Sequence, residues 1–176
     1  NQGGMWLGTY YGGVNYWHPL RNHFHALRRQ PYPNSLNDNV VNCMAEDSRG
    51  RVWIGTNTGG VNCWDSSWGT FRHYPMRSSG ANAPGSDDVK AIWVDDAAGK
   101  VYVGAHAGGL SCIGIDSGLV TTFASENRSG GARPLDVYSI IPVPNSSLLL
   151  LGTLDGVRLF DRKTGRVSVP EFSDEA

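Results

Sequence analysis

Residues 51–65, RVWIGTNTGGVNCWD, constrain this chain more than any other stretch, because they return three more times. The unit is an aromatic on a short apolar run, a Gly-Thr stop, a glycine pair, and a second apolar run ending in an acid. Upstream it reads MWLGTYYGGVNYW (5–17), downstream VYVGAHAGGLSCIGID (101–116), and a worn copy, LLLGTLDGVRLFD, follows at 149–161. Gly8, Gly55, Gly104 and Gly152 are separated by 47, 49 and 48 residues. A unit this small cannot bury its apolar face alone and must stack on its neighbours. A period of about fifty with strand-sized runs predicts small sheets fanned around an axis, a β-propeller.

One period starting at Val40 holds four strand candidates, 40–46, 51–56, 61–65 and 70–74, with turn signals between them. Asp47-Ser48-Arg49-Gly50 has type I turn composition, and Asn57-Thr58-Gly59-Gly60 supplies positive φ where the chain reverses. Helical periodicity is absent, so the fold class is all-β. Four antiparallel strands and a longer crossing make a blade and its link. The chain 1–176 then reads as a partial propeller: blade 1 from 1–30 without its first strand, blade 2 over 36–75, blade 3 over 87–124, blade 4 over 136–172. Pro142 and Pro144 predict a bent or shortened first strand in blade 4. About three and three-quarter blades fall short of the four to eight of a closed propeller. We therefore expect an arc cut from a larger propeller, whose exposed blade face pairs with remaining blades or with a second copy of the chain. The opening NQGGMWLG carries neither a starting methionine nor a signal peptide, and also reads as a piece of a longer protein.

Fifteen basic and sixteen acidic side chains leave a formal charge of −1, so no overall field recruits nucleic acid. No apolar run approaches bilayer-spanning length. Cys43, Cys63 and Cys112 show no CxxC pattern and no histidine at ligand spacing, so neither zinc nor another cofactor is expected. Cys43 and Cys63 fall on the first and third strands of one blade, about 9.6 Å apart at ~4.8 Å per strand, too far for a disulfide. Three free thiols are expected. Trp6, Trp53, Tyr102 and Leu150 recur at one repeat position, and Trp17, Trp64, Ile113 and Phe160 at another. Blade-on-blade packing explains both sets better than a sugar-stacking track does.

The pattern V-x-x-I-x-x-D-x-x-G-x-V-W-I-G-T-x-x-G-G-V-N resembles the two-component regulator propeller repeat, best in residues 41–56, VNCMAEDSRGRVWIGT. Ser35-Leu36-Asn37-Asp38-Asn39 is similar to that family's SL-x-x-N lead-in. The resemblance covers nearly the whole chain and is weakest in the last blade. WD, kelch and Asp-box repeats fit worse; only Trp64-Asp65 matches the WD dipeptide. The resemblance implies the periplasmic sensor region of a membrane-anchored hybrid histidine kinase, as in Bacteroides-like bacteria that forage polysaccharides. It implies an oligosaccharide ligand and control of polysaccharide-utilisation genes through the attached kinase, with no catalysis by this region.

In a propeller, the loops joining second to third strands and the links joining blades emerge on one face. Tyr10, Tyr11, Asn57, Thr58, His106 and Asp155 lie in those loops and are candidate ligand contacts. Short turns favour Asn, Asp and Gly for conformational reasons alone, so each also has a purely structural explanation. The links 23–37, 70–86 and 124–135 hold six arginines, among them Arg28, Arg77 and Arg133, against one acid, Glu126. Arginine forks bind carboxylate or sulfate, so an anionic glycan is a candidate. Solvation of long loops explains the same arginines. His106 has no carboxylate partner identifiable from sequence, which weakens it as a general base. A propeller-fold polysaccharide lyase or glycosidase remains the alternative, as does a protein–protein interaction scaffold.

Overall fold

The computed structural model describes residues 4–18, 21–76, 86–123, 127–128, 131–132 and 135–171. Its strands form antiparallel sheets, each built from strands consecutive in sequence. The first sheet contains β1 (Met5–Thr9), β2 (Gly13–His18) and β3 (Arg21–Leu27). The second contains β4 (Val41–Glu46), β5 (Arg51–Thr56), β6 (Val61–Asp65) and β7 (Thr70–Tyr74). The third contains β8 (Val89–Asp95), β9 (Lys100–Ala105), β10 (Gly109–Gly114) and β11 (Val120–Phe123). A short ladder of β12 (Asn127–Arg128) and β13 (Gly131–Ala132), which the repeat pattern does not announce, lies in the following link. The fourth sheet contains β14 (Val137–Pro142), β15 (Leu148–Thr153), β16 (Gly156–Asp161) and β17 (Arg166–Ser168). Among the described residues no helix is long and apolar enough to cross a membrane.

β4 packs on β8 and β8 on β14, while the last strand of each sheet is its far edge. The first strands therefore line the inner side of a fan, which is propeller architecture. Pro142 ends β14 opposite Leu149, and Pro144 falls in the turn beyond it, so neither proline interrupts an inner ladder.

The two repeated sets of large residues meet each other across blade boundaries. Trp6 lies 5.1 Å from Trp64 of the next sheet, and Tyr102 lies 5.9 Å from Phe160 of the next. Trp53 and Ile113 are fully buried in one cluster spanning the second and third sheets. Each such ring removes 150–250 Å² from water, which is why the track goes to packing. Leu150 breaks the series. Leu149 and Leu151 are buried towards the third sheet, so Leu150 and its cross-strand partners Ile141 and Leu159 occupy the opposite face, where Ile141 is 56% exposed.

Two devices explain the motif letters. Asp47 accepts the backbone N–H groups of Arg49 and Arg51 (both 3.0 Å), the Arg51 Nε–H (2.8 Å) and the Trp53 indole N–H (2.9 Å). The spacing D-x-x-G-x-V-W thus closes a turn and anchors a core indole with one carboxylate. The second glycine of each pair (Gly13, Gly60, Gly109; φ +75°, +67°, +71°) donates its N–H to the link entering the next blade, at Asn39, Asp87 and Leu135. At Gly60 a Cβ would lie 2.5 Å from the Tyr74 carbonyl, so a side chain there is excluded by contact as well as by φ. In the SL lead-in, Leu36 is a fully buried plug between the first two sheets.

The three cysteines are free thiols, with Cys63 and Cys112 buried and Cys43 partly so. Burial pushes Cys43 up to about 12 and Cys63 to about 11, and raises Cys112.

A candidate ligand-binding rim at the inner edge

The loops β1–β2, β5–β6, β9–β10 and β15–β16 meet the links between blades on one side of the fan. Asn57, His106 and Leu154, at the start of three of these loops, each donate a backbone N–H to the residue just before a first strand: Val40, Asp88 and Asp136 respectively. Side chains then reinforce the arrangement.

Thr58 is tied down twice, its N–H and its hydroxyl each donating to Asp38 Oδ2 at 2.8 Å. Burial opposes ionisation of Asp38, yet the N–H of Val40 and both donors of Thr58 hold its carboxyl below the usual value. Asn57 Oδ1 accepts from Lys90 Nζ at 3.5 Å, and Lys90 also pairs with Asp88 Oδ1 at 2.7 Å. Asn42 Nδ2 donates to the same Asp88 oxygen at 3.3 Å and to the Val89 carbonyl at 2.8 Å. Tyr10 and Tyr11 stand in the β1–β2 loop, 68% and 75% exposed, edge-to-face at 4.6 Å. Arg28 is exposed at the end of the first sheet. Arg77 and Arg133 lie outside the described residues.

The expectation for His106 is corrected. Its Nδ1 lies 2.8 Å from Asp136 Oδ1 and 3.2 Å from the Tyr138 hydroxyl. Asp136 also accepts the Ala107 N–H at 2.6 Å. The partner carboxylate is thirty residues away along the chain and arrives with the next blade, so no sequence spacing announces it.

Acids also stand on this side: Asp38, Asp88 and Asp136, at the ends of the links, contact Thr58, Lys90 and His106. On the opposite side the acids act as staples. Arg49 Nη1 meets Asp116 at 2.5 Å, Ser48 donates to Asp96, and Arg162 of the fourth sheet pairs with Asp95 of the third.

Sequence reasoning missed Asn42, Lys90 and Tyr138. Pairing of β4 with β5, β8 with β9 and β14 with β15 slips by one residue, between Val41 and Cys43, Val89 and Ala91, and Val137 and Ser139. Each slip leaves a bulged residue at the second position of an inner strand: Asn42, Lys90, Tyr138. A weak signal exists, since each directly follows the valine that opens its strand, but a bulge is a property of two strands and not of one. Among the described residues no group of three His, Cys, Asp or Glu side chains could hold a metal ion.

Comparison with known proteins places these features. Residues 35–58 match the family model for the two component regulator propeller. The chain is similar to the extracellular domain of the putative hybrid two component system BT3049 from B. thetaiotaomicron, at 26% identity and TM-score 0.75, covering 95% of this chain and 22% of that one. The corresponding domain of BT4673 from the same organism gives 18% identity and TM-score 0.73, covering 96% and 23%. U3-55K, at 13% identity and TM-score 0.69 over 94% of this chain and 47% of that one, shares the fold alone. The chain thus spans under a quarter of the two component relatives it matches. No curated protein matches it.

Proposed function

Starting from a chain that carries the two component regulator propeller repeat, we propose that it is part of the extracytoplasmic, ligand-sensing propeller of a membrane-anchored hybrid two-component sensor. The observation that carries this reading is the likeness to the BT3049 extracellular domain over 95% of the chain. On this reading the region is periplasmic and non-catalytic. It recognises an oligosaccharide on the loop-bearing side of the fan, and the attached kinase turns occupancy into expression of polysaccharide-utilisation genes. Exposed Tyr10 and Tyr11 in one loop, with hydrogen-bonding groups such as Asn57 and Lys90 on the following blades, suit a sugar, whose ring faces stack and whose hydroxyls donate and accept. The ligand shifts an equilibrium between signalling geometries by binding one of them better. The outward faces carrying Ile141 in the fourth sheet and Met5 and Leu7 in the first meet the remaining blades of the parent, or a second copy.

The test is to add candidate polysaccharide digests to the membrane-embedded parent and measure autophosphorylation. A saturable change supports sensing, and an unresponsive kinase across glycan classes contradicts it. A second reading, a lyase or glycosidase, draws on the His106–Asp136–Tyr138 contact, because such groups can move protons. New reducing ends or unsaturated products released from the same digests would favour it.

A further inference from the structure

The geometry points to Asn42, Lys90 and Tyr138 as the ligand-contacting row of this rim, a subsite for a neutral, hydroxyl-rich saccharide that offers an apolar ring face. This deepens the sensor reading and rests on it. The first argument is the repetition of the bulge. An extra residue interrupts a ladder, leaves backbone groups unpaired and re-aims a side chain. One such defect is ordinary, but here it recurs at the same step of β4, β8 and β14, on the inner side of the fan. Packing does not require it, since the valine before each bulge already enters or flanks the core.

The second argument is how the re-aimed side chains are held. Two of the three meet a loop residue of the preceding blade: Lys90 meets Asn57, and Tyr138 meets His106. The Tyr138 hydroxyl lies 3.2 Å from His106 Nδ1, the same nitrogen that meets Asp136 at 2.8 Å, while the residue stays 43% exposed. A partly exposed ring held near its tip is a pre-ordered platform, so stacking a sugar on it costs little further side-chain freedom. Lys90, clamped by Asp88 and Asn57, presents a fixed donor beside a fixed acceptor.

The third argument is charge. Lys90 already has a counter-ion in Asp88, and Asp38 and Asp136 stand at the corresponding ends of the neighbouring links, against Thr58 and His106. A sulfate or uronate placed here would meet like charge. Sugar hydroxyls donate to the carboxylates and accept from the ammonium at once, so this row of the rim favours a neutral glycan.

The test is calorimetric titration of the intact chain with neutral hexasaccharides (cello-, xylo-, manno- and arabino-hexaose) and with two anionic ones, hexagalacturonate and a heparin hexasaccharide. At least one neutral ligand should bind, and Tyr138→Ala should weaken it about tenfold or more. Tyr138→Phe, which keeps the ring but frees its tip, should fall between wild type and Tyr138→Ala, and Lys90→Ala should weaken binding independently. Tyr138 and Lys90 are outside the core clusters, so thermal melts should show the variants folded, and Leu119→Ser, an exposed change beyond β10, should leave binding unaltered. Neutral binding untouched by both Tyr138→Ala and Lys90→Ala overturns the subsite while sensing stands. Binding confined to the anionic pair overturns the ligand class while sensing stands. No binding by any of the six overturns this inference and the oligosaccharide reading together.

Discussion

Replacing Asp47 with alanine should cost the fold more than any other single change on the turn side of the fan. The carboxylate is fully buried at its side chain and holds four donors, but these are not equivalent. The bonds of the Arg49 and Arg51 N–H groups are only part-buried, so water can replace them at lower cost. The indole of Trp53 is 0% exposed, and its stranded N–H costs about 1–3 kcal/mol. The Arg51 side chain is 14% exposed, so its guanidinium becomes a mostly buried cation without its bonded counter-ion. Removing one partner of such a pair costs about 3–5 kcal/mol, and residual hydration of Arg51 keeps the combined loss near that range. With a urea m-value of about 2 kcal/mol/M, the midpoint should fall by about 1.5–2.5 M. Asp47→Asn should lose nearly as much, because its amide N–H₂ would confront the donors it must satisfy. A cycle with Trp53→Phe isolates the indole bond, and its coupling should be about 1–2 kcal/mol. A midpoint shift for Asp47→Ala below about 0.5 M at unchanged m, or strict additivity in the cycle, would refute the anchoring role.

Gly60→Ala should destabilise by more than about 2 kcal/mol, because it adds a backbone clash to a positive φ, whereas Gly69→Ala, at φ +61° with open space around it, should cost about 1 kcal/mol; paired urea titrations compare them. Leu149→Ala, which empties a fully buried site between the third and fourth sheets, should cost about 2–5 kcal/mol by the same assay. The raised thiols of Cys43, Cys63 and Cys112 should resist a thiolate-directed reagent at neutral pH and all react in concentrated guanidinium, and rapid labelling of the native chain would contradict their burial. Asp38 is held below its ordinary value, so its contribution to stability is full above the unfolded carboxyl value and is lost as pH falls through the folded one. The stability gap between wild type and Asp38→Asn should therefore be constant near neutrality and narrow below about pH 4.

Much of the architecture was legible along the chain because the forces that make it are local. Asp47 and Gly50 close a turn within their own few residues, and Gly60 adopts a backbone angle other residues resist. Repetition multiplied these weak cues, so the large residues at Trp6 and Trp64 could be given to packing before any contact was seen.

The rim is different in kind. His106 and Asp136 are brought together only because one sheet stacks on the next, and Lys90 meets Asn57 by the same route. The bulges at Asn42, Lys90 and Tyr138 are offsets between two strands, so they exist only once pairing is complete. The partners of Asp38, Asp88 and Asp136 on the neighbouring loops are likewise set by the stacking of sheets. Local sequence decides where strands start, stop and point, since turn chemistry and alternation act over a few bonds. Which charges neutralise one another, and which side chains share a surface, is decided by distances in space that only the assembled fan of sheets defines.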